Sequence, residues 1–175
     1  ELEVCDETLE PAYRAFPDNW ELILHGDRPV GKWAVFFLTP EDETLFRAGQ
    51  IVESELTIDR VHRPLLPGTY FGYCTDLIVL PGHETAATVL LGSFVRFLEN
   101  LAAREVFLHG LGTISCSQGG DQICRDLGMT RLCDYFVSPD YGVWTLPGAA
   151  IARSIFTRRS PRLAALYADM FPPRP

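Results

Sequence analysis

The sequence predicts an α/β domain of the α+β type, with a mixed, twisted sheet of six or seven strands and helices on both faces. Three observations support this prediction. Residues 68–81 (GTYFGYCTDLIVLP) become apolar on both faces in their second half, as in a central strand that is covered on both sides. The residues that follow change to helical spacing, and shorter strand-like runs lie before and after them. A chain of 175 residues that is 47% hydrophobic can form one sizeable core.

The first predicted element is a β-hairpin in WELILHGDRPVGKWAVFFLT, where Gly26 and Pro29 supply turn residues between two apolar runs. Residues 40–49 are charged, which indicates a loop or a short helix. Residues 50–59 (QIVESELTID) alternate between apolar and polar, which indicates a half-buried strand or an insertion. We expect residues 40–68 to add an extra strand and part of the substrate side.

The predicted central strand covers residues 71–80, and a helix of about five turns follows it, beginning within two residues of Glu84. EVFLHGLG is the next predicted strand, and QGGDQICRDLGM is a short helix that ends at Gly128. RLCDYFV and YGVWTLP form a closing pair of strands around Ser-Pro-Asp. One or two terminal helices follow in ARSIFTRRSPRLAALYADMF.

We therefore expect a single domain over residues 1–175, with a core at 20–147 and a helical extension at 148–175. Because the first residue is Glu1 rather than Met, we expect a processed chain or one domain of a longer protein. The apolar runs are far shorter than the ~20 residues of a membrane-spanning helix, so no membrane partner is predicted. A net charge of −8 and a pI near 4.9 oppose nucleic-acid binding, which usually needs a basic surface.

The five cysteines are odd in number and include no CxxC pair: Cys5, Cys74, Cys116, Cys124 and Cys133. Reduced thiols in a cytoplasmic protein fit this pattern better than a disulfide framework does. Cys116, Cys124 and Cys133 stand eight and nine residues apart, without the short ligand pair of a zinc site, so no metal is predicted.

These elements resemble the GNAT superfamily of N-acyltransferases in their order and spacing over about residues 20–147. The resemblance rests on the HGDRPVG turn, the strand that ends in LIVLP, the helix that ends near AARE, the strand EVFLHGL and the short helix that closes in DLGM. It implies a GNAT-like fold in which acyl-CoA lies between two splayed strands. The pyrophosphate would then rest on backbone amides at the start of the long helix, where the helix dipole favours negative charge.

The resemblance implies a cofactor site that departs from the family pattern. The family's Gln/Arg-x-x-Gly-x-Gly/Ala turn is GHETAAT in this chain, where Glu84 brings a carboxylate in place of the first position. A carboxylate in the first turn also suits the helix dipole without any ligand, so a self-capped helix remains an alternative. The predicted residues for acetyl-CoA or another acyl-CoA are Leu77, Ile78, Val79, His83, Glu84, Thr85, Ala86, Ala87 and Thr88.

The resemblance also implies a proton donor four residues before the glycine of the short helix, where many relatives carry tyrosine. This chain has Cys124 there, and a packed structural cysteine is the alternative. The general base could be Glu53, Glu55, Asp76 or His109, although Glu53 and Glu55 could be solvated surface residues and His109 a hydrogen-bonded core histidine. A Cys116–His109 nucleophilic pair is a weaker hypothesis.

Two functions remain open at this point. The first is an acyl-CoA-dependent N-acyltransferase that acts on a small-molecule or peptide amine. The second is a GNAT-like pseudoenzyme that serves as a sensor or interaction domain. In either case the chain could form a homodimer or pack against other domains of a longer protein.

Overall fold

The structure, a computed structural model, describes residues 10–172 and contains one mixed sheet of seven strands. The strands are β1 (Trp20–His25), β2 (Arg28–Leu38), β3 (Val61–His62), β4 (Gly68–Val79), β5 (Val106–Ser115), β6 (Thr130–Tyr135) and β7 (Ser138–Pro147). The helices are α1 (Glu10–Ala15), α2 (Pro40–Arg47), α3 (Ala86–Ala102), α4 (Gln118–Asp126), α5 (Gly148–Ile151) and α6 (Pro161–Met170). The predicted α/β class and strand number are confirmed.

The sheet has the strand order β1-β2-β4-β5-β7-β6, with β3 paired to the far end of β2. Only the pairing of β4 with β5 is parallel, and α3 forms the connection between them. The predicted hairpin is confirmed as β1 and β2, and the predicted central strand is confirmed as β4. The parallel pair in the middle of the sheet is therefore the feature on which any site between central strands depends.

Alternate residues of β2 enter two separate cores because successive strand residues face opposite sides of a sheet. Trp33, Val35 and Phe37 pack with α3, α6 and the C-terminal segment, whereas Ala34 and Phe36 pack with α1 and α2. The helices thus cover both faces. Helix α3 begins at Ala86, two residues after Glu84 as predicted, and its apolar stripe lies against the first of these cores.

Residues 50–59 do not form the strand that their alternation suggested. They form a short 3₁₀ turn at Glu53–Glu55, while Ile51 and Leu56 are fully buried on the α1/α2 face of the sheet. The extra strand of this region is the two-residue β3 instead. The charged segment before it is the helix α2, whose N-cap Thr39 accepts a hydrogen bond from the Asp42 amide at 3.2 Å.

Two further expectations were wrong in detail. The first half of β4 is the buried half, since residues 71–74 are buried and residues 75–79 are only half-buried. The reason is that β5 stops pairing with β4 at Cys74. The turn between β6 and β7 lies at Phe136 and Val137 rather than at Ser-Pro-Asp, because the Phe136 amide donates to the Gly49 carbonyl oxygen at 2.9 Å.

The predicted C-terminal extension contains the short α5 and the longer α6, which contact each other. The Tyr167 hydroxyl of α6 accepts a hydrogen bond from the Leu108 amide of β5 at 3.1 Å, so the extension is attached to the central sheet. Among the helices of residues 10–172, none combines the length and the apolar character that crossing a membrane requires.

Candidate functional site

The candidate site is a cleft where β4 and β5 part. Their last paired residues are Cys74 and Thr113, and the Thr113 hydroxyl donates to the Cys74 carbonyl oxygen at 2.9 Å. Beyond this point β4 continues to Val79 along β2, while β5 continues to Ser115 along β7. The two central strands therefore follow different neighbours and open a gap at one end of the sheet.

A cavity of about 340 Å³ fills this gap. Its walls come from the diverging ends of β4 and β5, the inner face of α4, and the rings of Phe94 and Phe156. The β4 wall includes Thr75, Leu77 and Ile78. Because most of these groups are apolar, the cavity suits a slender, largely apolar chain with a few polar groups.

The turn before α3 has satisfied many of its own polar groups. The Glu84 carboxylate accepts a hydrogen bond from the Gly82 amide at 2.9 Å. Backbone hydrogen bonds lower the Glu84 pKa, the one to its own amide contributing more than the one from Gly82. The amides of Ala86 and Ala87 donate to the carbonyl oxygens of His83 and Glu84 at 2.8 and 3.1 Å. The first amides of α3 are thus satisfied by backbone carbonyl oxygens, while the N-cap Thr85 side chain makes no capping hydrogen bond.

The predicted cofactor residues divide into two groups. Leu77 and Ile78 line the cavity, and Val79 packs against the α3 core beside them. His83, Glu84, Thr85, Ala86, Ala87 and Thr88 form the turn and the first turn of α3, outside the lining of the cavity. His83 stacks edge-on against His25 of the hairpin, with ring centroids 5.5 Å apart.

Cys124 is the predicted catalytic residue that lines the cavity. It is buried on the inner face of α4, and burial followed by the charge of Asp121 raises the pKa of its thiol to about 11. The thiol therefore stays protonated at neutral pH. It is also a weaker acid than an ordinary thiol, whose pKa is about 8.5.

The other two predicted catalytic residues lie outside the lining of this cavity. Glu55 is exposed, and its carboxylate is 3.4 Å from the Arg60 guanidinium. His109 is 2.9 Å from the Glu43 carboxylate on α2. The Cys116–His109 hypothesis fails on distance, because seven residues along an extended strand span roughly 23 Å.

Glu53, unlike Glu55, has a hydrogen-bond partner on a central strand. It is half-buried and accepts a hydrogen bond from the phenol of Tyr73, a β4 residue. Burial, followed by the charge of Glu53, raises the pKa of Cys116 and of Tyr135. Cys116 lines the cavity, so the charge of Glu53 acts on one group of the lining, although Glu53 itself lies outside that lining.

A buried ion pair that sequence reasoning missed lies beside the cleft. The Lys32 ammonium is 3.0 Å from Asp76 Oδ2 and donates to the Tyr13 hydroxyl, also at 3.0 Å. The Tyr13 hydroxyl in turn donates to Asp76 Oδ2 at 2.7 Å. The one signal in the sequence was that Lys32 is the chain's sole lysine and stands within an apolar strand.

A β-bulge at Thr75 explains how Asp76 reaches this pair. Ala34 and Val35 are adjacent on β2, yet they pair with Asp76 and Cys74, so Thr75 is the extra residue. The bulge turns Asp76 toward the α1 side of the sheet, while Cys74 faces the α3 side. Thr75 itself lines the cavity.

Comparison with known proteins gives no family for this chain. No protein-family model matches the sequence, and no curated protein sequence matches it. Within residues 10–172, no three His, Cys, Asp or Glu side chains form a group that could hold a metal ion. The geometry of the cleft is therefore the basis for assigning a function.

Proposed function

We propose that the protein is an acyl-CoA-dependent N-acyltransferase that acts on a small-molecule or peptide amine, as the resemblance to the GNAT superfamily implies. The observation that carries the proposal is the parting of the parallel strands β4 and β5 around an apolar cavity. A parted parallel pair supplies a slot at the centre of a sheet, open at one end. The pantetheine arm of acyl-CoA is a slender chain that suits such a slot.

Backbone groups of β4 supply the polar contacts that the pantetheine arm needs. From Thr75 to Val79, the edge of β4 that faces the cleft pairs with no strand of residues 10–172. Pantetheine contains two amide groups, so it can add to this edge as an extended peptide adds to a sheet. Leu77 and Ile78 would then contact its methylene groups.

The proposed reaction transfers the acyl group to a neutral amine. The amine nitrogen forms a bond to the thioester carbonyl carbon, the carbon–sulfur bond breaks, and CoA leaves as a thiolate. Glu53 is the candidate base for the amine proton because it is hydrogen-bonded to Tyr73 of β4 and its charge acts on Cys116 of the cavity lining. Cys124 is the candidate donor to the thiolate, and its raised pKa makes that transfer uphill.

The alternative function is a non-catalytic sensor or interaction domain of the same fold. The turn before α3 favours it, because the Glu84 carboxylate accepts from the Gly82 amide and the Ala86 and Ala87 amides already have partners. We also propose a cytoplasmic location, since the four cysteines among the described residues are free thiols. A homodimer or packing against further domains remains part of the proposal.

Binding of acetyl-CoA tests the proposed function directly. A ligand present at 100 times its dissociation constant stabilises a folded protein by about 2.7 kcal/mol. We therefore expect acetyl-CoA to raise the midpoint of thermal unfolding, with longer acyl-CoAs as a comparison. Free adenosine diphosphate serves as a control for phosphate binding alone. No stabilisation by any acyl-CoA, together with no heat of binding in calorimetry, would contradict the proposal and leave the sensor function.

Replacing Glu84 by glutamine is expected to strengthen acetyl-CoA binding. The change removes a negative charge beside the proposed pyrophosphate position at a helix start, where that charge would repel the phosphates. Glu41→Gln is the matched control, because Glu41 is an exposed carboxylate near the start of another helix, α2. Calorimetry of the three proteins decides the point. Equal affinity of Glu84→Gln and the native chain would show that the pyrophosphate binds elsewhere.

A further inference from the structure

A second cavity, of about 490 Å³, lies on the α1 side of the sheet. Trp20, Leu22, Pro29 and Ile78 provide an apolar wall, and the lining also includes Gly31 and four polar residues: Glu10, Tyr13, Arg14 and Lys32. Ile78 also lines the cleft between β4 and β5, so the two cavities are neighbours across one strand. The second cavity has its own charged groups and is not used in the proposed acyl transfer.

Lys32 is the unusual group in this lining. It is only 5% exposed, yet it carries a charge into an apolar wall. An ammonium group has three N–H donors, and two of them are used by the Tyr13 hydroxyl and by Asp76 Oδ2. The third has no protein acceptor within residues 10–172. A buried ammonium with a donor that the described residues leave unused can donate to a ligand in the cavity.

Arg14 adds a second cationic group at the edge of the cavity. Its Nε and one terminal nitrogen donate to Glu10 Oε1 at 3.1 and 2.5 Å. A guanidinium has five N–H donors, so others remain for a ligand. The side chain is 80% exposed, which lets it approach a molecule that enters the cavity. The lining therefore contains one buried and one exposed cation.

We propose that this cavity binds a small monocarboxylate with an aromatic or branched apolar body. The carboxylate accepts hydrogen bonds from the third Lys32 donor and from Arg14. The apolar body packs against Trp20, Leu22 and Ile78. Asp76 compensates the Lys32 charge at 3.0 Å. The proposal does not depend on acyl-CoA binding, because its ligand and its charged groups differ from those of the cleft, and Ile78 is the one lining residue among those described that the two cavities share.

Calorimetry with 3-phenylpropionate as the probe tests the proposal on the full chain without acyl-CoA. We expect saturable binding that is at least tenfold tighter than binding of phenethylamine, which has the same ring and chain length but a cationic end. Equal binding of the two probes would show an apolar pocket without carboxylate recognition. Absence of saturable binding by 3-phenylpropionate would also overturn the proposal.

Three variants locate the binding site. Leu22→Trp replaces a leucine side chain of the edge strand β1 by a bulkier indole ring that occupies part of the cavity. We expect it to reduce the affinity for 3-phenylpropionate at least tenfold. Arg14→Gln removes only the exposed cation, and we expect a loss of threefold or more. Ile123→Trp changes the lining of the β4–β5 cleft and should leave 3-phenylpropionate binding unchanged. The proposal fails if Leu22→Trp binds 3-phenylpropionate as tightly as the native chain does. It also fails if Ile123→Trp is the one variant of the three that loses this binding.

Discussion

Replacing Asp76 by asparagine is expected to lower the free energy of unfolding by about 3–5 kcal/mol. The substitution keeps the shape of the side chain but removes the charge that compensates Lys32. Lys32 is 5% exposed, so its ammonium would remain in a low-dielectric site where, among residues 10–172, its polar contacts would be the Tyr13 hydroxyl and a neutral amide. Chemical denaturation followed by circular dichroism measures the loss.

Two comparisons distinguish the stability lost by leaving Lys32 buried without its partner from the stability lost by removing any surface charge. The double variant Lys32→Met with Asp76→Asn removes both charges, and it should recover most of the lost stability because no uncompensated charge stays buried. Asp134→Asn breaks the exposed pair of Arg131 and Asp134 and should cost less than about 1 kcal/mol. A small loss for Asp76→Asn, similar to that of Asp134→Asn, would show that Lys32 reaches water.

Replacing Phe94 by alanine is the second large effect, with an expected loss of about 3–5 kcal/mol of unfolding free energy. Phe94 is 3% exposed, and its ring lies 5.4 Å from Trp33 and 4.9 Å from Phe156 between ring centroids. It therefore joins α3 to β2 and to the C-terminal segment at one point. Alanine would leave a void there and would also enlarge the neighbouring cleft cavity.

The control for Phe94 is Val89→Ala on the exposed side of the same helix, where Val89 is 53% exposed. We expect its effect to stay within about 0.5 kcal/mol. Phe94→Leu keeps most of the apolar volume and should lose less than half of what alanine loses, which keeps the test usable if alanine prevents folding. Equal losses from Phe94→Ala and Val89→Ala would contradict the packing of α3 described above.

Local patterns predicted most elements of the fold. The spacing of Leu90, Phe94, Leu98 and Leu101 predicts α3 because it repeats on one helical face, and these residues are buried in the structure. The β1–β2 hairpin followed from Gly26, which has a positive φ of 63° in the turn. In contrast, residues 50–59 alternate as a strand does but have no neighbouring strand to pair with over most of their length. The alternation of apolar and polar residues indicates that one set of side chains is buried, and side chains can be buried in this way without forming a strand.

The cleft and the buried ion pair depend on tertiary structure, because the contacts that form them join residues distant in sequence. The cleft exists because β4 follows β2 while β5 follows β7, and each strand's partner is set by contacts distant in sequence. The ion pair exists because a bulge at Thr75 turns Asp76 to the face where Tyr13 and Lys32 lie, 63 residues from Tyr13 along the chain. A single extra residue in one strand reverses which side chains face each core, and the sequence of β4 by itself is compatible with either arrangement.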